Sequence, residues 1–243
     1  MATRCRRPTG GPAAPARLLE ELRSVPMFQS LTEASLQHLV NQSRQRHYAS
    51  GDTLFHEGDP AHALYFLRAG AVKALAVMED GRENVLNILV AGDVFPHASC
   101  LEPEACPATA QALDDCDALL IPRATLAELM REDGEFALRY TDLVVHQLRD
   151  MQLRLRELAS RDLQGRVALA LVRLLEKESC HYSDSCLLGH RRIHLTHQEI
   201  AGMVGASRES VSRVLSGLRE GGCVASGPDG LQVLDREKLL QMV

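Results

Sequence analysis

Tryptophan is absent from this 243-residue chain, and there are only four tyrosines and five phenylalanines, so the core must be built mainly from aliphatic side chains. No uncharged apolar run, such as Ala69 to Val72 or Asn87 to Ala91, approaches the roughly 18 residues of a membrane span, which leaves no membrane partner to expect. The N-terminus is Arg-rich but has no apolar h-region of the secretory type. Seven cysteines are scattered and odd in number, which argues against a disulfide framework. A cytoplasmic protein with reduced thiols is expected. Catalytic signatures are missing as well: there is no Gly-x-Ser-x-Gly elbow and no His-Glu-x-x-His helix, the two patterns that would indicate a serine or zinc hydrolase.

A formal net charge of -5 hides an uneven spread. Residues 1–17 carry four arginines and no acid, residues 18–160 carry 12 basic and 22 acidic side chains, and residues 161–243 carry 11 basic and 10 acidic ones. Phosphate contact needs local rather than global positive charge, so an acidic body followed by a near-neutral last third fits a sensing part joined to a DNA-reading end.

Residues 1–17, with Thr9-Gly10-Gly11-Pro12 and Ala13-Ala14-Pro15, are too rich in Pro, Gly and Ala to bury a face and read as a flexible arm. From Leu18 to about Gln45, apolar residues recur at helical intervals broken at Pro26, predicting short helices. From Tyr48 onward, apolar or alternating runs are separated by Gly51, Gly58, Gly70, Gly81 and Gly92, a spacing near ten residues that suggests an all-β roll or barrel. Residues 64–67, 72–78, 85–90, 108–113 and 118–121 read as strands, with Asp80-Gly81 as a hairpin turn. After Pro122 a short helix over 123–131 precedes Asp133-Gly134 and then about 25 residues without Pro or Gly, the longest predicted helix. Within it Val144, Leu148, Met151, Leu155 and Leu158 follow a 4-3-4-3 spacing, the seam of a coiled coil, so a homodimer through these residues is expected. A further helix, 162–178, opens the last domain. The predicted organisation is an arm (1–17), a β-roll effector domain (18–132), a dimerisation helix (133–160) and a DNA-binding domain (161–243).

The sharpest motif lies between Leu195 and Leu215. Thr196 with Glu199 makes a capping box, Ile200, Val204, Val211 and Val214 form an apolar face, Ala201 is small where two helices would cross, and Gly205 stands where a turn needs a left-handed backbone. This is a helix-turn-helix, with Ser207 capping the second helix. Arg208, Glu209, Ser212 and Arg213 then fall on its exposed face, where Arg suits guanine and Glu suits cytosine N4. With Thr196, Gln198, Ser207 and Ser210 they are the candidate DNA contacts. Residues 223–226 and 231–234 flank Gly227-Pro228-Asp229-Gly230, a hairpin that reads as a wing. The overall class is α+β: an N-terminal β-roll, a long helix and a C-terminal winged helix-turn-helix.

Gly205-Ala206-Ser207-Arg208-Glu209-Ser210-Val211-Ser212-Arg213, the segment Asp162-Leu163-Gln164-Gly165-Arg166, and the pattern Gly51-Asp52, Gly58-Asp59, Gly70, Gly92-Asp93 together resemble the CRP/FNR family of bacterial transcription regulators over roughly residues 20–240. The resemblance implies a homodimer that binds double-stranded DNA at a two-fold symmetric operator, contacts RNA polymerase and usually activates. It also implies that the positions of Arg208, Glu209 and Arg213 read a TGA-containing half-site, Arg208 resembling the CRP branch and Ser212 the FNR branch.

The same resemblance locates an effector pocket at Gly92, Asp93, Cys106, Pro107, Met151 and Gln152. Cyclic-AMP binding in the family uses a Gly-Glu pair and an Arg-Ser pair; here the first pair is Gly92-Asp93, the second is Cys106-Pro107, and the adenine-contacting helix positions hold Met151 and Gln152. Without the guanidinium a buried phosphate is poorly compensated, so cyclic AMP is not expected as the effector. Only Cys5 stands where the family's iron-sulfur sensor has a cysteine cluster, so that centre is not expected. Three readings stay open. His97 lies close to the haem histidine of gas sensors in the family, making haem a candidate cofactor and NO or CO a candidate signal. Cys100, Cys106 and Cys116 fall in the roll and are candidates for redox sensing. An unknown small molecule is the third. Cys180, His181, Cys186 and His190 have ligand types suited to zinc but match no common finger spacing. A cupin-like metal enzyme, the remaining enzymatic alternative, would need His-x-His and a carboxylate; the roll offers His47, His56, His62 and His97 without that spacing, so no enzymatic activity is expected.

Overall fold

The computed structural model describes residues 13–78, 83–97, 105–181, 192–193, 195–227 and 230–242. They form two compact units. The first holds the described residues up to Ala74 together with Leu89–Leu148, and the second holds Leu75–Ile88 and Arg149 onward.

In the first unit, α1 (Pro15–Ser24) starts on a proline at its first turn, where a missing N–H costs nothing, and α2 (Glu33–Gln42) is capped by Thr32 accepting from the Ser35 N–H. The strands of the roll are β1 (Arg44–Tyr48), β2 (Thr53–Phe55), β3 (Ala63–Ala69), β4 (Ala71–Val77), β5 (Glu83–Val90), β6 (Val94–Phe95), β7 (Thr109–Ala112) and β8 (Cys116–Pro122), in two four-stranded sheets of order β1-β8-β3-β6 and β2-β7-β4-β5, the end of β4 and most of β5 being counted with the second unit. The expected roll is therefore present, with β1, β2 and β6 added to the predicted strands. β1 (Arg-Gln-Arg-His-Tyr) hides from a hydrophobicity pattern because only Tyr48 is buried, the other four residues being exposed on an edge strand. The expected turn at Asp80-Gly81 lies outside the described residues.

Two apolar clusters hold this unit. Leu18, Leu22, Phe28, Leu36 and Leu39 pack with Leu64, Phe66, Leu119 and Ile121, and with Leu126, Phe136 and Tyr140 from the helices α3 (Arg123–Glu132) and α4 (Gly134–Ser160). The second cluster fills the roll: Tyr48, Leu54, Leu67, Val72, Leu89, Phe95, Ala110, Ala112, Cys116 and Ala118. There the Phe55, Tyr65 and Phe95 rings sit 5.3 to 6.2 Å apart, within the range of favourable aromatic contact. Arg68 closes one side through two hydrogen bonds to the Glu21 carboxylate, at 2.6 and 3.2 Å.

In the second unit, α5 (Leu163–His181) buries Val167, Ala168, Leu171, Val172 and Leu175. It carries α6 (His197–Val204), α7 (Arg208–Glu220), a three-stranded sheet of order β10-β11-β9 (Val224–Gly227, Gly230–Val233, Arg192–Ile193) and α8 (Arg236–Gln241). The wing is thus a hairpin plus a short third strand; Pro228 and Asp229 lie outside the described residues. Among the described residues no helix is long and apolar enough to cross a membrane.

Candidate nucleic-acid interface and effector sites

The helix-turn-helix is fixed at both ends of its turn. Thr196 accepts from the Glu199 N–H at 3.2 Å while Glu199 Oε2 accepts from the Thr196 N–H at 2.8 Å, so α6 begins with a closed capping box. It ends at Gly205, whose φ of +63° is the left-handed region expected there. Ser207 then caps α7, accepting from the Ser210 N–H at 3.2 Å. Such caps contribute about 1 kcal/mol each and set the entry angle of α7. Val211, Leu215 and Leu218 form its buried face. Val214, expected in that face, is half-exposed because burial follows the 3.6-residue period from Val211.

What α7 leaves outside is polar. Arg208, Glu209 and Arg213 are exposed, as are Thr196, Gln198 and Ser207, while Ser210 and Ser212 are half-buried. Arg213 Nη2 donates to Ser210 Oγ at 3.2 Å, which holds the guanidinium along the helix. His197, which the motif reading passed over, brings Nδ1 to 2.8 Å from Ser212 Oγ and ties the two helices together at their exposed edge. No spacing along a single helix signals it, because the bond is set by the crossing of α6 and α7. Two exposed arginines and one carboxylate on a rigidly capped helix are a surface suited to base edges and phosphates.

The expected effector residues have structural duties. Gly92 and Asp93 form the turn after β5: the Gly92 N–H donates to the Leu67 carbonyl at 2.7 Å, and Asp93 Oδ2 accepts from the Val90 N–H at 3.0 Å. Cys106 is 3 % exposed; its N–H donates to the Asp59 carbonyl and its own carbonyl accepts from the Gly58 N–H, whereas Pro107 is exposed. Met151 and Gln152 are exposed on α4 and belong to the second unit. Burial, with Asp59 beside it, pushes the Cys106 thiol up, and burial together with Asp114 pushes the Cys116 thiol up to about 12. Thiolate chemistry at neutral pH is therefore disfavoured at both, against the expectation of redox sensing there. Cys100 lies outside the described residues.

His97 is half-buried, and its carbonyl accepts from the Tyr140 hydroxyl at 2.7 Å, an anchor between the loop after β6 and α4. Among the described residues no group of three or more His, Cys, Asp or Glu side chains could hold a metal ion. The zinc ligand set of Cys180, His181, Cys186 and His190 lies outside the described side chains.

Along α4, Leu148, Met151, Leu155 and Leu158 are 46 to 66 % exposed. Val144, expected in the same stripe, is instead partly buried and packs with Leu143 against the first unit's core. A cavity of about 220 Å³ lies within the second unit, lined by Asn84–Ile88, α4, α5 and α6. Arg154 crosses it, donating to the Leu86 carbonyl at 2.8 Å and Asn87 Oδ1 at 3.2 Å, while Arg173 holds Glu157 through bonds of 2.7 and 2.5 Å. Desolvation, then the neighbouring Arg173, lowers the pKa of Arg154.

Two family models match the chain: a cyclic nucleotide-binding domain over residues 45–133 and a Crp-like helix-turn-helix domain over residues 165–242. The chain is 31% identical over 212 residues to the "Cyclic AMP receptor protein" of Thermus thermophilus, covering 87% of this chain and 94% of that one. It is 31% identical over 194 residues to the "cAMP-activated global transcriptional regulator Vfr" of Pseudomonas aeruginosa, covering 78% and 88%. Among solved structures, FixK2 of Bradyrhizobium japonicum shares the fold with a TM-score of 0.71 at 22% identity, covering 82% of this chain and 96% of that one. With the roll, the capped helix-turn-helix and these likenesses together, the chain belongs to the CRP/FNR family of DNA-binding transcription regulators.

Proposed function

We propose that the chain works as a homodimer, places α7 in successive major grooves of a two-fold symmetric operator, activates transcription through contact with RNA polymerase, and answers to an effector in its roll other than cyclic AMP. It catalyses no reaction in this reading. The observation that carries it is the capped α7 with Arg208, Glu209 and Arg213 exposed on one face. Pairing through α4 is supported by the apolar side chains left uncovered there, and two-fold pairing is the commonest closed assembly.

Two of the relatives named above are described as a cyclic AMP receptor protein and a cAMP-activated regulator, so the effector must be argued from this chain's own residues. Where the family pattern places a phosphate-holding Arg-Ser pair, this chain has Cys106-Pro107, a buried thiol and a ring without an N–H. Arg68, a buried cation close to the roll, is already paired with Glu21. Neither residue at Cys106-Pro107 supplies a cation for a cyclic phosphate, and a buried charge without one is strongly disfavoured. Titration calorimetry with cyclic AMP is expected to show no saturable binding up to millimolar concentration. Saturable binding at micromolar concentration would overturn the effector reading while leaving the DNA-binding assignment untouched.

A further inference from the structure

We infer that His197 and Ser212 form a relay that turns the Ser212 hydroxyl into an acceptor-only reader, selecting adenine or cytosine at one position of each half-site. The inference rests on the DNA-reading assignment above and adds a specificity-determining pair to it. His197 is the first residue of α6, directly after the Thr196 cap, and its Nδ1 lies 2.8 Å from Ser212 Oγ on α7. Both side chains are half-buried at the edge of the exposed α7 face. Among the described residues, His197 Nε2 and Ser212 Oγ have no other hydrogen-bond partner.

The chemistry follows from the place of each ring nitrogen. In a helix-turn-helix the first helix crosses the DNA backbone while the second lies in the groove, and helix N-termini are where phosphates are met. Nε2, at the start of α6, then donates its hydrogen to a phosphate oxygen. In the tautomer that gives the Nε2 hydrogen to a phosphate, Nδ1 carries none and accepts the Ser212 hydroxyl hydrogen. A serine hydroxyl has one hydrogen. With it committed to His197, only oxygen lone pairs remain to meet the base pair.

Lone pairs match the amino groups of adenine N6 and cytosine N4, whereas guanine O6 and N7 and thymine O4 would face them acceptor to acceptor. A free serine rotates to suit either kind of edge; the bound one does not. His197 is in this sense a positioning residue, acting on sequence preference through Ser212 and on general affinity through the phosphate. One directed hydrogen bond corresponds to a preference of roughly three- to tenfold.

The test selects binding sites from random-sequence duplexes with the full-length protein, then measures affinity for the enriched site and its single-base variants. Wild type is expected to favour adenine or cytosine over guanine and thymine by at least about threefold at one position per half-site. Ser212→Ala should flatten that position and no other, and Ser212→Thr should keep it. His197→Gln, whose amide nitrogen can replace Nε2 as phosphate donor but has no counterpart to Nδ1, should keep affinity for unrelated DNA and flatten the same position. Thermal melting confirms that each variant is folded, and if His197→Gln is not, the direction of preference at the position that Ser212→Ala flattens decides the matter. The relay is overturned if Ser212→Ala leaves every position as in wild type, or if the Ser212-dependent position favours guanine or thymine. It is also overturned if His197→Gln weakens all duplexes equally with preferences intact. Enrichment of no sequence by wild type would instead remove the DNA-reading assignment, and the relay with it.

Discussion

Cys116 is fully buried against the turn at Gly70, where a β-carbon would stand 2.6 Å from its sulfur and 2.5 Å from the Asp115 carbonyl, so only glycine fits beside it. The thiol donates to the carbonyls of Ala71 at 3.2 Å and Asp114 at 3.0 Å, and burial with the adjacent Asp114 raises its pKa to about 12. An unfolded thiol ionises near pH 8.5. The folded state therefore holds the neutral form longer than the unfolded state does, and the stability this contributes is full below about pH 8.5 and falls as the pH rises toward 12. Cys106, raised by burial and Asp59, adds in the same direction. Alkylation at pH 8 is expected to spare Cys106 and Cys116 in the folded protein and to reach both once denaturant is added, as peptide mass spectrometry would show. Rapid labelling of the folded protein at Cys116 would contradict the account of the roll interior.

α4 joins fold to assembly. Its first turns bury Phe136 and Tyr140 in the first unit's core, while Leu148, Met151, Leu155 and Leu158 further along are 46 to 66 % exposed. Leu155, the most exposed of the four at 66 %, is the place to test a seam. Leu155→Lys is expected to leave the melting curve of the chain's secondary structure largely intact at low concentration while shifting sedimentation toward the monomer and weakening operator binding at least tenfold. Unchanged sedimentation would place the dimer contact elsewhere. The stripe was legible in the sequence because its spacing is carried by side-chain type alone, and so were α6, the turn and α7, where capping residues and Gly205 have fixed positions. Val144 was misassigned to the stripe because a heptad pattern does not distinguish a partner helix from the chain's own core. β1 and β9 were missed for the opposite reason: edge strands with exposed polar residues are held by backbone pairing, to β8 and β11, and backbone bonds leave little trace in composition. The His197–Ser212 bond was invisible in the same way, being set by the crossing of α6 and α7 rather than by any spacing along one helix.

For the molecule as a whole, a net charge of -5 and a base-reading surface are reconciled by distribution: the excess acid lies in residues 18–160, and residues 161–243 are nearly balanced. The two compact units divide the labour in a matching way, the first enclosing an apolar roll and the second presenting Arg208, Glu209 and Arg213. Binding to DNA should accordingly weaken steeply with salt, since a protein with such a charge depends on local phosphate contacts and counterion release. Footprinting on the site enriched from random duplexes shows whether α7 reads sequence as part of a two-fold pair. The account predicts a protected palindrome whose half-sites are centred about 34 Å, one helical turn, apart, with protection lost in Arg213→Ala at the concentration that fully protects with wild type. Protection of a single asymmetric site, or equal protection by wild type and Arg213→Ala, would contradict it.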